Sequence, residues 1–218
     1  MLLTLPGFGV WCPPWSWMAA APRSVTHAAP DPDDFIARLK RREEPSLEEF
    51  FDRHRRGVER VLLRVLGPDP DVSDVVHDAF EQAIRSLHRF AGTPEDLGAW
   101  LNRIAINVAK NRLRHQRVRR WLRGAVPYET SEVATRVASP DVVFAMKRTY
   151  EVLQRLPADE RIPFALRFID GMQLTEIADA TGTSLATVKR RLGRARERFA
   201  RHAGNDAVLA VWQAGGER

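Results

Sequence analysis

The sequence predicts an all-α protein built as two small helical domains joined by a flexible linker, the C-terminal one a helix-turn-helix. Three observations predict it. Apolar residues recur at helical spacing through most of residues 35–204, and no stretch alternates with the period of a strand. Charge falls into two basic blocks: residues 35–123 hold 19 basic and 13 acidic residues, and residues 147–204 hold 12 and 7. Between them, residues 124–146 hold one basic residue against three acidic ones. Near the C-terminus, Gly182 and Ser184 separate a short apolar helix from a strongly basic one. Glycine supplies the positive φ that such a turn needs, and serine caps the helix that follows.

Residues 1–34 carry one Arg against three Asp and open on an apolar, Trp-rich stretch. A secretory signal is rejected, because no basic residue precedes the apolar part and Pro6, Pro13 and Pro14 interrupt it. The stretch reads as a disordered leader or as a start placed too early, with Met18 the true start; a short partner-binding segment is the third reading. Phe35, Ile36 and Leu39 then suit a short helix. Ser46 followed by Glu49 predicts a capping box. The helix behind it runs to about Leu66 with Phe50, His54, Val58, Val61 and Val65 on one face, and Gly67-Pro68 stops it. Asp71 or Ser73 opens the next helix, whose stripe is Val75, Val76, Ala79, Phe80, Ala83, Ile84 and Leu87. Thr93 caps a further helix with Pro94 at its first position and Asp96 in its first turn. Leu97, Trp100, Leu101, Ile104, Ala105, Val108 and Ala109 line its inner side, and it continues through a basic run to Gly124.

Residues 124–138 lack periodicity and read as the linker. A helix restarts at Ser139-Pro140-Asp141 with Val142, Val143, Met146, Tyr150 and Leu153 inside, and Leu156-Pro157 breaks it. The helix carrying Phe164, Leu166 and Phe168 ends at Gly171. Pro163 predicts a bent or late-starting first turn there. In the helix-turn-helix, Ile177 and Ala178 face inward on the first helix. Val188, Leu192, Ala195 and Phe199 form the apolar stripe of the second. Residues 205–218 read as a frayed tail, with Val208, Leu209, Val211 and Trp212 available to dock.

Composition narrows the function. Cys12 is the single cysteine, so no internal disulfide forms, and no Cys/His set has metal spacing. No apolar run reaches the length of a membrane span. No nucleophile–base pair, metal set or nucleotide loop supports catalysis, so no enzyme and no cofactor is expected. A reducing cytoplasm is the natural compartment. Two basic modules on one chain suit one polyanion.

The basic helix points to DNA. From Lys189 to Arg201, Glu197 is the only acid, whereas a merely solvated face mixes signs. A helix with a packed back and a cationic front fits the major groove, and its N-terminal residues reach base edges best. Ser184, Ala186, Thr187, Lys189, Arg190 and Arg191 are therefore the base-facing candidates. Arg194, Arg196 and Arg198 suit phosphates or solvent.

Residues 156–199, with a Leu-Pro start, an EIA first helix and a TVKRRLGRAR second helix, resemble the C-terminal DNA-binding module of extracytoplasmic-function sigma factors. DVSDVVHDAFEQAIRSLHRF followed by AWLNRIAINVAKNRLRHQRVRR resembles the N-terminal core module of the same family. The likeness spans roughly residues 46–202, most of the chain. It implies a partner set of core RNA polymerase and promoter DNA, with an anti-sigma protein as an allowed third. The charge blocks and the aperiodic linker set the domain bounds at 35–123 and 139–204. Asp74, Val75, His77, Asp78 and Phe80 match the polymerase-binding helix; the family pattern has Gln then Glu where His77 and Asp78 stand. Asn102, Arg103, Asn107, Lys110, Asn111, Arg112 and Arg114 match the part that reads the minus-ten element. Ser184, Ala186, Thr187, Lys189, Arg190, Arg191 and Arg194 match the reader of the minus-thirty-five element. Two other readings stay open at this level: a polymerase-independent helix-turn-helix regulator, and a helical module whose basic faces meet an acidic protein. The regulator needs neither the 71–90 helix nor the Asn/Arg-rich helix after it.

Overall fold

The computed structural model describes residues 32–67, 69, 71–123, 140–204, 206 and 209. The expectations for the leader, the 124–138 linker, the Val142 side chain and Val208, Val211 and Trp212 fall outside them. Among the described residues the chain forms eight α-helices and two 3-10 turns, and no strand.

Helix α1 (Pro32–Lys40) buries Phe35 and Leu39. Helix α2 (Glu44–Leu66) begins two residues before the expected cap at Ser46. Pro45 sits in its first turn, where a missing N–H leaves nothing unpaired. Ser46 is instead turned inward at 1% exposure, and Glu49 pairs with Arg53 one turn on. Gly67 ends the helix with φ of 83°. Helix α3 (Val72–Ser86) opens after Asp71, which decides between Asp71 and Ser73. The Thr93 N–H then donates to Asp96 Oδ2 at 2.9 Å, and the Thr93 hydroxyl lies 3.0 Å from the same oxygen. This closes the start of a 3-10 turn (Pro94–Asp96) that runs directly into α4 (Leu97–Arg123).

Helices α2, α3 and α4 enclose one apolar core. Phe80 meets Phe50 edge-on at 5.4 Å and Phe51 at 4.7 Å. Leu97, Leu101, Ala105 and Ala109 are buried in the expected phase, while Trp100, Ile104 and Val108 are half-buried. Phe90 is buried and packs against Trp100 at 5.1 Å. Ile106 is also buried although it lies off the predicted stripe.

The second helical group begins with α5 (Pro140–Leu153). Tyr150 and Leu153 are buried as the periodicity predicts. Helix α6 (Ala158–Phe168) does not start late: it begins directly after Pro157, five residues ahead of Pro163. The Pro157 carbonyl accepts from the Glu160 and Arg161 N–H groups at 2.9 and 2.8 Å. The first turn is therefore closed before Pro163 removes a donor. Helix α7 (Leu174–Thr181) and helix α8 (Leu185–Ala203) complete the group. Phe164 stacks on Phe199 at 4.9 Å and contacts Phe168 at 4.7 Å. Beyond α8, Leu209 is buried and Asp206 accepts from Arg148 at 2.9 and 3.1 Å, so this much of the tail docks.

The two groups pack on each other through a helix end. The last four carbonyls of a helix have no partner within it. In α2 these belong to Leu63, Arg64, Val65 and Leu66; the Gly67 N–H serves the first at 2.9 Å, and the second group serves the other three. The Tyr150 hydroxyl lies 3.2 Å from the Leu63 oxygen and donates to the Arg64 oxygen at 2.9 Å. Arg161, only 2% exposed, donates to the Val65 oxygen at 3.0 Å and the Leu66 oxygen at 2.7 Å. A cation at a helix C-terminus also opposes the negative end of the macrodipole.

Burial pushes the Tyr150 hydroxyl from its ordinary 10 up to about 12, against the pull of Arg161 and Arg64. The protonated form is thus favoured in the packed protein. Its contribution is fully present below pH 10 and is lost as pH rises toward about 12. In an alkaline titration of tyrosinate absorbance, the difference between wild type and Tyr150→Phe should stay flat past pH 10 and rise near about 12. A difference curve centred on 10 would contradict this packing.

Candidate nucleic-acid interface

The turn between α7 and α8 is built from local chemistry. Gln173 and Glu176 close the start of α7, where the Gln173 N–H donates to the Glu176 carboxylate at 2.6 Å. Gly182 ends α7 with φ 62° and ψ 37°. Ser184 caps α8, its hydroxyl accepting from the Thr187 N–H at 3.3 Å and lying 2.9 Å from the Thr187 hydroxyl. A Cβ at Gly182 would meet nothing within 4 Å, so an alanine there suffers only the backbone conformation. Gly182→Ala should lower stability by about 1 kcal/mol, read as a shift of the urea midpoint with an unchanged slope.

Val188, Leu192, Ala195 and Phe199 bury the back of α8 as predicted. On its front, Ala186, Lys189 and Arg190 are exposed, and Thr187 is half-buried against the cap. Arg191 and Arg194 are not on the same open face. Arg191 lies 3.6 Å from Asp159, while Arg194 and Arg198 lie 3.5 and 3.2 Å from Glu160, which is buried. The outward face at the start of α8 thus narrows to Ala186, Lys189 and Arg190, with Ser184 and Thr187 spent in the cap.

On α4, Asn107 and Asn111 are exposed and Asn102 is half-buried. The cations expected beside them are engaged within the protein. Arg103 donates to the Asp179 carbonyl at 2.9 Å. Lys110 pairs with Asp159 at 2.6 Å, and Arg114 reaches the same carboxylate at 3.4 Å. Arg112 pairs with Asp71 at 2.5 Å and Asp69 at 3.5 Å, and Gln116 donates to Asp69 at 3.1 Å. Arg112 therefore ties α4 to the start of α3 rather than standing ready for a phosphate.

Of the residues expected to face the polymerase, Asp74, His77 and Asp78 are exposed on α3. Val75 and Phe80 are 1% and 4% exposed, so they support that face from beneath and do not form it. The residue period decides this: 75, 79, 80 and 83 share one buried side, and 74, 77, 78 and 81 share the other. The His77 ring Nδ1 lies 2.8 Å from the Ser73 carbonyl, and the ring packs 6.2 Å from Phe51. Asp78 lines an open groove of about 490 Å³ between α3 and α4, together with Gln82, Arg85, Asn111 and Arg119. The groove brings a polymerase candidate and a promoter candidate to one opening.

Three charged residues of α6 that pair with groups on other helices escaped the pattern reading: Asp159, Glu160 and Arg161. A signal was present for Arg161, which lies three residues before Phe164 and seven before Phe168 and so falls on the apolar stripe. Asp159 takes its importance from partners on other helices. Burial disfavours its charge, but the hydrogen bond and charge of Lys110, with Arg191 and Arg114, hold the carboxyl below its ordinary value.

Comparison with known proteins agrees with this layout. Residues 50–119 match the sigma-70 region 2 family and residues 146–199 match the sigma-70 region 4 family. The chain is 29% identical over 171 residues to the ECF RNA polymerase sigma-E factor of Escherichia coli (strain K12), covering 74% of this chain and 88% of that one. It is 29% identical over 175 residues to the RNA polymerase sigma factor NccH of Alcaligenes xylosoxydans xylosoxydans, covering 78% and 94%. Among solved structures, the sigma factor RpoE of Bartonella quintana, in complex with the anti-sigma factor NepR, superposes with a TM-score of 0.53 at 21% identity, covering 73% and 97%. CnrH, in complex with the cytosolic domain of CnrY, does so with 0.50 at 23%, covering 78% and 95%. At these identities the two structures speak for the fold. Among the described residues no helix is long and apolar enough to cross a membrane.

Proposed function

The chain belongs to the extracytoplasmic-function sigma factors of the sigma-70 family, and from that premise we propose how its surfaces are divided among its partners. A sigma factor binds core RNA polymerase, directs it to promoter DNA and helps open the duplex. It is an initiation factor rather than a catalytic enzyme.

The exposed side of α3, with Asp74, His77 and Asp78, is the polymerase-binding face, and the groove beside Asp78 extends it toward α4. The α4 face with Asn102, Asn107 and Asn111 serves the minus-ten element. Asparagine can pair bidentately with adenine, and an opened base needs such polar groups beside apolar walls. Arg103, Lys110 and Arg114 add phosphate contacts once their present partners release them. Helix α8 enters the major groove at the minus-thirty-five element, with Lys189 and Arg190 at the bases. The module bounds are 35–123 and 139–204, with 124–138 between them.

One observation carries this reading: regions 2 and 4 match one chain in order; the exposure of Lys189 and Arg190 on the capped helix adds to it. A stand-alone helix-turn-helix regulator has no use for the region 2 match. Because the polymerase is the partner, the place of action is the cytoplasm. Two structural neighbours are held in complexes with an anti-sigma factor or a cytosolic domain, which supports an inhibitory protein partner for this chain as well.

Run-off transcription on a genomic fragment library, with core polymerase and with or without this protein, tests the reading. Protein-dependent transcripts that share an upstream motif support it. DNA binding without any polymerase-dependent transcript would favour the operator-binding regulator.

A further inference from the structure

Asp71 occupies the N-cap position of α3, where an acidic side chain ordinarily accepts from the first free N–H groups of its own helix. Here it makes no such bond. Its Oδ2 instead accepts from Arg112 Nη2 of α4 at 2.5 Å. The same Nη2 lies 3.5 Å from Asp69 Oδ1. Asp69 is held from two further sides, accepting from the Asp71 N–H at 2.9 Å and from Gln116 at 3.1 Å. The Asp69 side chain is 13% exposed and that of Arg112 27%, so their charges are screened less than those of a surface pair. Burial works against the Arg112 charge, yet Asp71 and Asp69 raise its pKa above the ordinary value. The start of α3 thus gives up its own cap to grip the middle of α4. The clamp stands on the wall of the α3–α4 groove, which Val75, Asp78 and Gln82 line from α3 and Asn111 and His115 from α4.

We infer that Arg112 is a positioning residue for polymerase binding: paired with Asp71 and Asp69, it fixes the entry of α3 against α4 and so sets where Asp74 and Asp78 stand. The inference rests on α3 being the polymerase-binding face, as proposed above, and adds which residue holds that face in place. It also moves Arg112 from the promoter side, where the family resemblance puts it, to the polymerase side. The leverage follows from helix geometry. Asp74 and Asp78 lie about one and two turns beyond Asp71. Among the described residues no other ion pair joins α3 to α4. Val75 and Ala79 are buried beneath α3, but apolar burial is non-directional: it keeps the helix on the core without fixing its register. A charged pair of defined geometry does fix it. Without Arg112, the Asp71 carboxylate is free to cap α3, and the first turn shifts relative to α4. Nor is Arg112 available to a phosphate at no cost. Releasing it would leave the sheltered Asp69 carboxylate without its cation.

The test measures binding of the full chain, dye-labelled at its single cysteine Cys12, to core RNA polymerase. Arg112→Gln should weaken binding roughly tenfold, and Asp71→Asn by a similar factor. Combined, the two should lose little more than either alone, because each breaks the same pair. Arg112→Lys, which keeps a cation within reach of both acids, should retain most of the affinity. Thermal melting checks that each variant is folded; should Arg112→Gln not fold, Asp71→Asn and Arg112→Lys carry the test. Run-off transcription from a cognate promoter separates the two sides. The Arg112→Gln deficit should vanish when the variant is supplied in excess over polymerase. Wild-type affinity in folded Arg112→Gln, or losses that multiply in the double variant, would overturn the inference. A deficit that persists at saturating variant would make Arg112 a promoter contact and overturn it as well. If the wild type itself does not bind core polymerase, the proposed function fails and this inference with it. Wild-type binding that the variants leave unchanged sinks the inference alone.

Discussion

Phe164→Ala is expected to cost about 3–5 kcal/mol of stability. Phe164 is among the largest fully buried side chains. Its ring stacks on Phe199 of α8 and touches Phe168 of its own helix. Truncation leaves a cavity where α6 braces α8, and two facing rings lose their contact together. A small domain has only about 5–15 kcal/mol in total, so the loss is a large fraction of it. The thermal midpoint should fall by roughly 10 °C, and the affinity for DNA should fall with it. Phe144→Ala is the control. Phe144 is 56% exposed, and its removal should change stability by about 0.5 kcal/mol or less. Equal melting of the two variants would mean that the Phe164–Phe199 stack does not hold α8.

The Lys189→Ala, Arg190→Ala double variant should lose promoter-specific initiation while melting like the wild type. Both side chains are exposed, and neither belongs to the buried stripe of α8. A good side-chain contact to a base edge is worth about 1–3 kcal/mol. Two such losses reduce specific initiation by on the order of 100-fold or more. Run-off transcription from a cognate promoter reads this, and binding to a random duplex provides the comparison. A fall confined to cognate DNA identifies base readers. An equal fall on both DNAs makes them phosphate contacts. Full transcription by the folded variant would remove α8 from promoter recognition.

The contrast between these variants shows where the sequence is a sufficient guide. The helices, their order and most buried stripes follow from spacing, because a side chain every three or four residues meets the same neighbour whatever that neighbour is. The turn before α8 is equally legible, since Gly182 and Ser184 act on bonds within a few residues of themselves. Ser46 shows the limit of local signals. Its capping box was a sound local option, but Pro45 allowed the helix to begin earlier and packing drew the hydroxyl inward. Pro163 failed in the same way: an early start closed the first turn before the missing donor mattered.

Site residues divide along the same line. Ala186, Lys189 and Arg190 are readable from the period of α8 alone, as are Asp74, His77 and Asp78 from that of α3. Val75 and Phe80 belong to the other side of that same period, so spacing alone would have placed them inside. Arg103, Lys110, Arg112 and Arg114 could not be sorted in advance. Whether each is open depends on Asp179, Asp159, Asp71 and Asp69, which lie on other helices or loops.

The amino-acid sequence by itself therefore determined the helical class, the order of the two modules, the capped turn and the cationic front of α8. These depend on hydrogen bonds and apolar contacts repeated every few residues. Only the tertiary structure decided that Arg161 and Tyr150 cap the end of α2, and that Asp159 and Glu160 hold cations from two helices. Those pairings join residues distant along the chain, and charge attraction depends on the final distance between groups rather than on their spacing in sequence.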